Sequence, residues 1–446
     1  MLHSKPSIIR YDDALPVFAD LVVEHLGESA LERDAFLRDA DGVLTFILRG
    51  DIDDKSRPRL EAAVKEKLGS YAANNPLARP ADLFDPRLSE PDRDQWELIR
   101  QGDRHRFVRL IERRLVGQDW MRGIQPAIPQ APPVIVFASH KGGVGRSTAL
   151  AIASAEFARR GKSILSIDLD LEAPGLGGMF LPARDLPTFG ALDYYVENGR
   201  GPIDDTFLEN MVGISPLASG AGRVMIVPAV GQKSREFPQN VIGKLSRAYL
   251  ENIEATQSGL SESVTFLDHT RVMISDLCRR ERYDAVFLDA RAGLNETTAT
   301  TIQGLGADVL FFGVDMPQTW EGYRFFLAHL ARFKPREGGE DWRYRLKMIH
   351  AKAPADPYSW ARYRDHAFDL FAEHLYDEVD EAGRSAETAF GFDIDDHAAP
   401  HYAWRVMVDP TYDAFDPVER REQLTEPIYS RTFGTFVDNL ADRLGF

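Results

Sequence analysis

A glycine-rich stretch followed by a hydroxyl residue has the residue types and spacing needed for chemistry. Residues 134–148 read Val-Ile-Val-Phe-Ala-Ser-His-Lys-Gly-Gly-Val-Gly-Arg-Ser-Thr, an apolar strand pattern that breaks into glycines. Glycines let backbone N–H groups approach an anion closely, and the N-terminus of a following helix favours negative charge. Ser147 stands where a hydroxyl can reach a magnesium ion bound to phosphate. The stretch therefore predicts a phosphate-binding loop.

The loop departs from the common phosphate-loop pattern G-x-x-x-x-G-K-[ST] at two positions. His140 replaces a glycine and Arg146 replaces the lysine, while an additional lysine, Lys141, precedes the glycines. Because arginine is larger than lysine and planar, it cannot occupy the same position between two phosphate groups. The backbone cradle remains in place. The residues predicted to bind a nucleotide here are Gly142, Gly143, Val144, Gly145, Arg146, Ser147 and Thr148.

Carboxylates follow two later apolar strand patterns. One pattern leads into Asp168 and Asp170, and the other ends in Asp289. Carboxylates at the carboxyl ends of strands beside a phosphate loop can hold magnesium through water and can position an attacking water. We assign Asp168 and Asp289, together with Ser147, to the metal and Asp170 to the water. The roles of Asp168 and Asp170 could exchange.

The three motifs together resemble those of one family. Lys-Gly-Gly-Val-Gly-Arg-Ser-Thr resembles the deviant Walker A motif of the ParA/MinD/nitrogenase-iron-protein group of P-loop ATPases, in the variant written KGGVGR. The segment from Asp168 resembles the family's second acidic motif. Asp289 to Gly293 resembles its Asp-Thr-Pro-Pro-Gly switch, with Arg and Ala in the proline positions. The resemblance covers residues 133–354 and implies a P-loop NTPase fold, a doubly wound, mainly parallel α/β sheet.

The resemblance also implies an activity and a partner. In this family the early lysine reaches across a dimer to the partner's nucleotide, so we expect an ATP-dependent homodimer with ATP and Mg²⁺ as cofactors. The catalytic residues would be Lys141, Asp170 and Arg146, and the N–H of Gly293 would sense the γ-phosphate. In relatives the loop after the strand that corresponds to 346–350 packs against the base. His350 and Lys352 are therefore candidates for the base site.

The expected function is a magnesium-dependent ATPase that acts as a dimerisation switch and couples its nucleotide state to a partner. Hydrolysis would be slow or activated by the partner, because Arg146 replaces the phosphate-loop lysine. The alternative is an ATP-binding scaffold without turnover of its own, whose N-terminal domain carries the output. A DNA-segregation ATPase is a weaker alternative.

A proline-rich segment divides the sequence. Residues 124–133 hold four prolines in ten positions, which favours extended chain. Residues 1–123 predict an accessory domain, α+β or helical, that would bind an unidentified protein partner. Residues 134–446 predict the ATPase domain with a C-terminal helical extension. The further predicted elements are helices at 11–26 and 56–71, a strand within 42–50, one or two helices within 92–115, and a helical insertion at about 240–257.

The charge balance bears on the partners. The chain has 446 residues, with 53 basic against 69 acidic side chains and a net charge of −16. Such a field repels phosphate backbones and anionic membranes, so nucleic acid and membrane are not expected partners. The last predicted helix, at 433–444, carries too few basic residues for a membrane helix and is expected to dock on the core. The best local basic cluster is interrupted by acidic residues and consists of Arg332, Lys334, Arg336, Arg343, Arg345 and Lys347.

The single cysteine indicates the compartment. Cys278 has no second cysteine to pair with, which excludes internal disulfides and fits a reducing cytoplasm. It also argues against the iron–sulfur members of the family, which need cysteine pairs. Because no apolar run approaches 18 residues, we expect a cytoplasmic protein.

Overall fold

The computed structural model describes most of the chain, which separates into two compact units, Met1–Met121 and Arg122–Phe446. The described residues are 9–53, 55–83, 85–91, 95–101, 104–113, 117–198, 203–218, 220–250, 252–255, 261–333, 335, 340–377 and 389–446.

The described strands of the first unit form a five-stranded mixed sheet in the order β3-β2-β1-β5-β4. Phe18 on the first helix meets Phe36 and Phe46 on the sheet, with ring centroids 5.2 and 6.2 Å away. The unit is therefore α+β rather than helical. Its elements are α1 (Tyr11–Leu26), α2 (Ser29–Arg33), β1 (Ala35–Arg38), β2 (Leu44–Ile47), α3 (Ser56–Leu68), β3 (Ala72–Ala78), β4 (Gln95–Gln101) and β5 (Arg104–Glu112).

The prediction of one or two helices within 92–115 is wrong, because β4 and β5 form an antiparallel hairpin there. The burial of β5 alternates with a period of two: Val108 and Leu110 are buried, whereas Phe107, which precedes Val108 in the strand, is 58% exposed. That period belongs to a strand with one face on the core. Aromatic and charged residues on the exposed face hide the alternation in the sequence.

The described strands of the second unit form an eight-stranded sheet in the order β15-β14-β13-β6-β12-β7-β9-β8. β8 pairs antiparallel with β9, and the other neighbouring strands of this sheet pair in parallel. The expected doubly wound, mainly parallel α/β sheet is confirmed. Its strands are β6 (Val134–Ser139), β7 (Ser163–Asp168), β8 (Gly213–Ile214), β9 (Arg223–Val227), β12 (Ala285–Asp289), β13 (Asp308–Gly313), β14 (Leu346–Ala353) and β15 (Trp404–Met407), with a separate hairpin of β10 (Asn252–Ala255) and β11 (Ser261–Val264).

Helices cover this sheet, and the C-terminal helix docks on its core as expected. The ring of Phe436 lies 6.2 Å from that of Phe137 and 5.8 Å from that of Phe312. The insertion predicted as one helix at about 240–257 is wrong in its second half, because its helix ends at Ala248 and β10 follows. The helices are α4 (Arg146–Arg159), α5 (Leu176–Phe180), α6 (Ala191–Glu197), α7 (Asp205–Glu209), α8 (Gln232–Glu236), α9 (Val241–Ala248), α10 (Phe266–Arg280), α11 (Glu296–Ala299), α12 (Pro317–Leu330), α13 (Pro357–His374) and α14 (Glu426–Leu444).

The strand order brings the chemical motifs to one edge of the sheet. β12 lies between β6 and β7, and Asp289 at its end is the cross-strand partner of both Phe137 and Asp168. The winding direction changes beside β6, and in open α/β sheets ligands bind outside the carboxyl ends of strands at such a point. In the part of the chain that the structure describes, no helix is long and apolar enough to cross a membrane.

Candidate functional site

The glycine loop joins β6 to α4 and is open to solvent on its outer side. Gly143 and Gly145 have φ of +75° and +91°, in the region that favours glycine. A Cβ atom built on Gly142, Gly143 or Gly145 meets no heavy atom of the described residues within 4 Å. The loop can therefore admit a ligand against its backbone. The α4 N-terminus that follows it provides backbone N–H groups for an anion.

Arg146, the residue in place of the phosphate-loop lysine, is only 7% exposed. Its Nη1 donates to Oγ of Ser139 at 3.2 Å, and its Nη2 donates to Oδ2 of Asp170 at 3.2 Å. Its Nε lies 3.4 Å from Oδ1 of Asp289. The guanidinium is thus directed at the strand ends beneath the loop, and it connects three of the elements that form the site.

Ser147 and Asp289 lie where a magnesium ion would need them. Oγ of Ser147 donates to Oδ2 of Asp289 at 2.5 Å. Oδ1 of Asp289 is buried and has no hydrogen-bond partner among the described residues. Burial raises the pKa of Asp289, and Arg146 and Ser147 oppose that shift. A hydroxyl and a carboxylate oxygen that lacks a hydrogen bond are the hard oxygen donors that Mg²⁺ takes, so the residues fit this ion.

Asp168 is fully buried and organises the loop that follows β7. Its carboxylate accepts hydrogen bonds from the N–H groups of Asp170 at 3.1 Å, Gly175 at 3.2 Å and Leu176 at 3.0 Å. Burial, and then the charge of Asp289, raise the pKa of Asp168. The carboxylate of Asp170, in contrast, is partly exposed and faces Arg146. The two acidic residues therefore differ in environment, with Asp168 shaping the loop and Asp170 reaching the site.

These carboxylates do not enclose a metal by themselves. The described residues contain no group of three or more His, Cys, Asp or Glu side chains arranged to hold a metal ion. Magnesium at this edge would take much of its coordination from phosphate oxygens and water, as it does in phosphate-loop sites.

The segment from Asp289 to Gly293 is held in place by hydrogen bonds of Arg291 and Gly293. The N–H of Gly293, whose φ is +89°, donates to the carbonyl oxygen of Ser139 at 3.1 Å. Arg291 donates to Glu172 at 2.5 Å, and Tyr249 donates to the same carboxylate oxygen at 2.8 Å. In this arrangement Gly293 does not present its N–H to a γ-phosphate, because Ser139 accepts it. Arg291 links this segment to the loop after Asp170.

The first two residues of the loop lie in contrasting surroundings. Lys141 is exposed. His140 packs against α12, where a Cβ built on Gly322 would lie 2.2 Å from the imidazole ring. Its ring also meets that of Phe326 edge-on at 6.3 Å. The glycine at position 322 therefore leaves the space that His140 needs, which fixes the start of the loop on α12.

A cavity of about 280 Å³ adjoins the loop and distinguishes the two candidates for the base site. Lys352, with φ of +50°, lines this cavity. His350 lies elsewhere, buried and stacked on Tyr363 at 4.0 Å. Residues from the C-terminal extension, which carry no recognisable motif, complete the wall. They are Val406, Met407, Val408, Asp409, Tyr412, Asp413, Thr432 and Phe433.

The predicted basic cluster does not form a basic surface in the described residues. Arg343 pairs with Asp341 and Asp377, and Arg345 pairs with Glu340. Lys347 is buried, so it adds nothing to such a surface. Lys334 and Arg336 lie outside the described residues.

The larger unit has a P-loop NTPase fold. The strand order and the position of the glycine loop between β6 and α4 establish this assignment. No family model matches the chain, and no curated protein matches it.

Several solved structures are similar to the chain at low identity. A structure of pNOB8 ParA bound to nonspecific DNA is 16% identical, with 70% of this chain and 99% of that chain covered and a TM-score of 0.38. A Cyanothece McdA variant in complex with ATP is 13% identical, with 71% and 97% covered and a TM-score of 0.40. Cobyrinic acid a,c-diamide synthase from Mycobacterium smegmatis, with bound ADP and magnesium, is 15% identical, with 55% and 83% covered and a TM-score of 0.36.

Proposed function

We propose that the larger unit binds and hydrolyses ATP with Mg²⁺, and that the nucleotide closes a homodimer of the ParA/MinD type. The observation that carries this proposal is the contact of Ser147 with Asp289 directly beneath an open glycine loop. Phosphate oxygens would lie along the loop N–H groups, from Gly142 to Thr148. Ser147, Asp168 and Asp289 would hold the magnesium ion, directly or through water. The ion supplies the positive charge that balances the phosphates.

The position of Asp170 supports its role in orienting the attacking water. Its carboxylate is less buried than those of Asp168 and Asp289, so water can reach it beside the loop. Lys352 and the adjoining cavity would receive the base. Lys141 is exposed at the loop, which fits a lysine that acts on the nucleotide of a second copy.

Two contacts favour slow or partner-activated hydrolysis. Arg146 is directed at carboxylates rather than into the loop, and the N–H of Gly293 donates to Ser139. Both groups would have to move before they could contact a γ-phosphate. The same contacts support the second candidate, an ATP-binding scaffold without its own turnover whose N-terminal unit carries the output to a protein partner.

DNA segregation remains the weaker alternative. The net charge of −16 opposes binding to a phosphate backbone, and Arg343 and Arg345 of the predicted basic cluster are paired with carboxylates. We propose a cytoplasmic switch whose partner is a protein rather than nucleic acid or membrane.

Light scattering measures the molar mass with and without Mg-ATP, and so tests whether the nucleotide closes a dimer. We expect the mass of the wild type to double with Mg-ATP, and that of Lys141→Ala to remain monomeric although it still binds the nucleotide. Lys67→Ala, at an exposed lysine of α3, is the matched control and should dimerise normally. A wild type that binds ATP but stays monomeric would contradict the switch and leave the scaffold. A dimer of Lys141→Ala would contradict the role of that lysine.

A further inference from the structure

The guanidinium of Arg146 lies beside two carboxylates of the site. Its Nη2 donates to Asp170 at 3.2 Å, and its Nε is 3.4 Å from Asp289, whose other oxygen accepts from Ser147. Only 8% of the Arg146 side chain is exposed, with 14% of that of Asp170 and 3% of that of Asp289. The guanidinium and the two carboxylates thus form a largely buried cluster at the place proposed for a metal.

Electrostatics gives this cluster a consequence for phosphate binding. Two carboxylates beneath the loop repel an incoming polyphosphate, and the repulsion is strong because these groups are poorly solvated. Magnesium ordinarily supplies the compensating charge in such sites. In this chain Arg146 already contacts both carboxylates, so it reduces their negative field before any ion binds.

The planar shape of arginine explains why this residue type can do so. Three of its nitrogen atoms point in different directions and meet Ser139, Asp170 and Asp289 separately. Lysine carries its three N–H donors on a single nitrogen at the end of a flexible stem, so it presents them from one point rather than from three separate atoms. The hydroxyl of Ser139 is itself fixed, because it donates to the carbonyl oxygen of Lys141 at 2.8 Å.

We infer that Arg146 is a built-in counter-cation of Asp289, which is proposed to hold the metal, and of Asp170 beside it; Arg146 competes with Mg²⁺ at this pair of carboxylates and lets the chain bind nucleotide with little dependence on Mg²⁺. The inference rests on the proposed nucleotide binding, but the competition for the carboxylates can be measured without a nucleotide. It adds a specific role to the arginine of the loop: the residue sets the metal requirement of binding rather than the position of the phosphates.

The first test measures Mn²⁺ binding to the nucleotide-free, full-length chain by electron paramagnetic resonance. Arg146→Gln should bind Mn²⁺ at least about tenfold more tightly than the wild type, because the two carboxylates lose their cation. Adding Asp170→Asn to that variant should abolish most of the gain. Arg343→Gln is the matched control, since Arg343 is similarly buried and also pairs with two carboxylates; it should leave Mn²⁺ binding unchanged.

The second test measures the affinity for methylanthraniloyl-ATP by fluorescence, in Mg²⁺ and in EDTA. The wild type should lose less than about tenfold in affinity in EDTA, whereas Arg146→Gln should lose about 100-fold. The double variant Arg146→Gln/Asp170→Asn should recover much of this loss, and thermal unfolding should show that each variant is folded. The double variant keeps the test valid if the single variant unfolds.

The outcomes separate the inference from the proposed function. A wild type that binds Mn²⁺ as tightly as Arg146→Gln, or that loses as much nucleotide affinity in EDTA, overturns the inference. A wild type that binds no nucleotide in either buffer overturns the proposed function, while the Mn²⁺ measurement still decides whether Arg146 blocks the metal.

Discussion

Oγ of Ser147 donates to Oδ2 of Asp289 at 2.5 Å, although the two residues are 142 positions apart in the chain. The contact joins the start of α4 to the end of β12 and places a hydroxyl and a carboxylate directly beneath the glycine loop. Ser147→Ala removes a hydroxyl proposed to hold the magnesium ion, so it should weaken nucleotide binding in Mg²⁺, by less than the roughly tenfold that removal of Mg²⁺ itself should cost. Titration calorimetry measures the effect. Ser246→Ala, at an exposed serine of α9, is the control, and equal affinities for both variants would contradict the assignment.

Gly145 is required for the shape of the loop. Its φ of +91° is one that other L-residues rarely adopt, although a Cβ there meets no heavy atom of the described residues within 4 Å. Gly145→Ala should therefore act through backbone strain alone and lower the stability by about 1–2 kcal/mol, together with a loss of ATP binding. Gly178→Ala, in α5 with the same open surroundings and no positive φ, is the matched control. Denaturant titration measures both, and equal stabilities would contradict the strain.

Gly322 makes room for His140. A Cβ at position 322 would lie 2.2 Å from the imidazole ring, so Gly322→Ala must displace the first residue of the loop. We expect a loss of about 1–3 kcal/mol in stability, as for other overpacked sites, and weaker ATP binding. The double variant Gly322→Ala/His140→Gly should regain stability because the clash is gone. Gly434→Ala in α14, where the nearest atom is 3.6 Å away, serves as the control. A Gly322→Ala variant as stable as the wild type would show that α12 does not fix the loop.

These residues show what the sequence can and cannot predict. The loop, Asp168 and Asp289 are predictable because apolar strand patterns precede them and parallel strands bring their carboxyl ends to one edge. The direction of Arg146 depends on Ser139 and Asp170, which meet it only in the folded sheet. Its role cannot be derived from the motif.

The parts that sequence reasoning misses have no local signal. The wall of the cavity beside Lys352 comes in large part from β15 and the residues that follow it, which carry no motif and whose position depends on sheet order. The sequence of the β4–β5 hairpin predicts helix rather than strand, because exposed aromatic residues such as Trp96 and Phe107 interrupt the alternation of apolar and polar positions. In both regions tertiary packing decides the outcome.

His350 should make stability depend on pH. Burial lowers its pKa to about 4, from an ordinary value of 6.5, so the neutral form is favoured in the fold. Between these values the unfolded chain binds more protons, and stability falls as the pH falls from 6.5 towards 4. From pH 7.5 to 5.0 this residue should account for a loss of about 2 kcal/mol.

Denaturant titration at the two pH values checks this prediction. His350→Phe keeps an aromatic ring to stack on Tyr363 but cannot be protonated, so it should lose about 2 kcal/mol less than the wild type over the same interval. Parallel losses in the two proteins would contradict the assignment to His350.

Phosphate release from Mg-ATP shows whether the larger unit is an ATPase whose site lies at the glycine loop. The wild type and the control Lys67→Ala should release phosphate at equal rates, even if slowly, and Asp170→Ala should abolish the release while still binding ATP. Release that persists in Asp170→Ala would contradict the assigned role of this carboxylate. Tight ATP binding by the wild type and by Lys67→Ala, with no phosphate release from either, would contradict a self-sufficient ATPase.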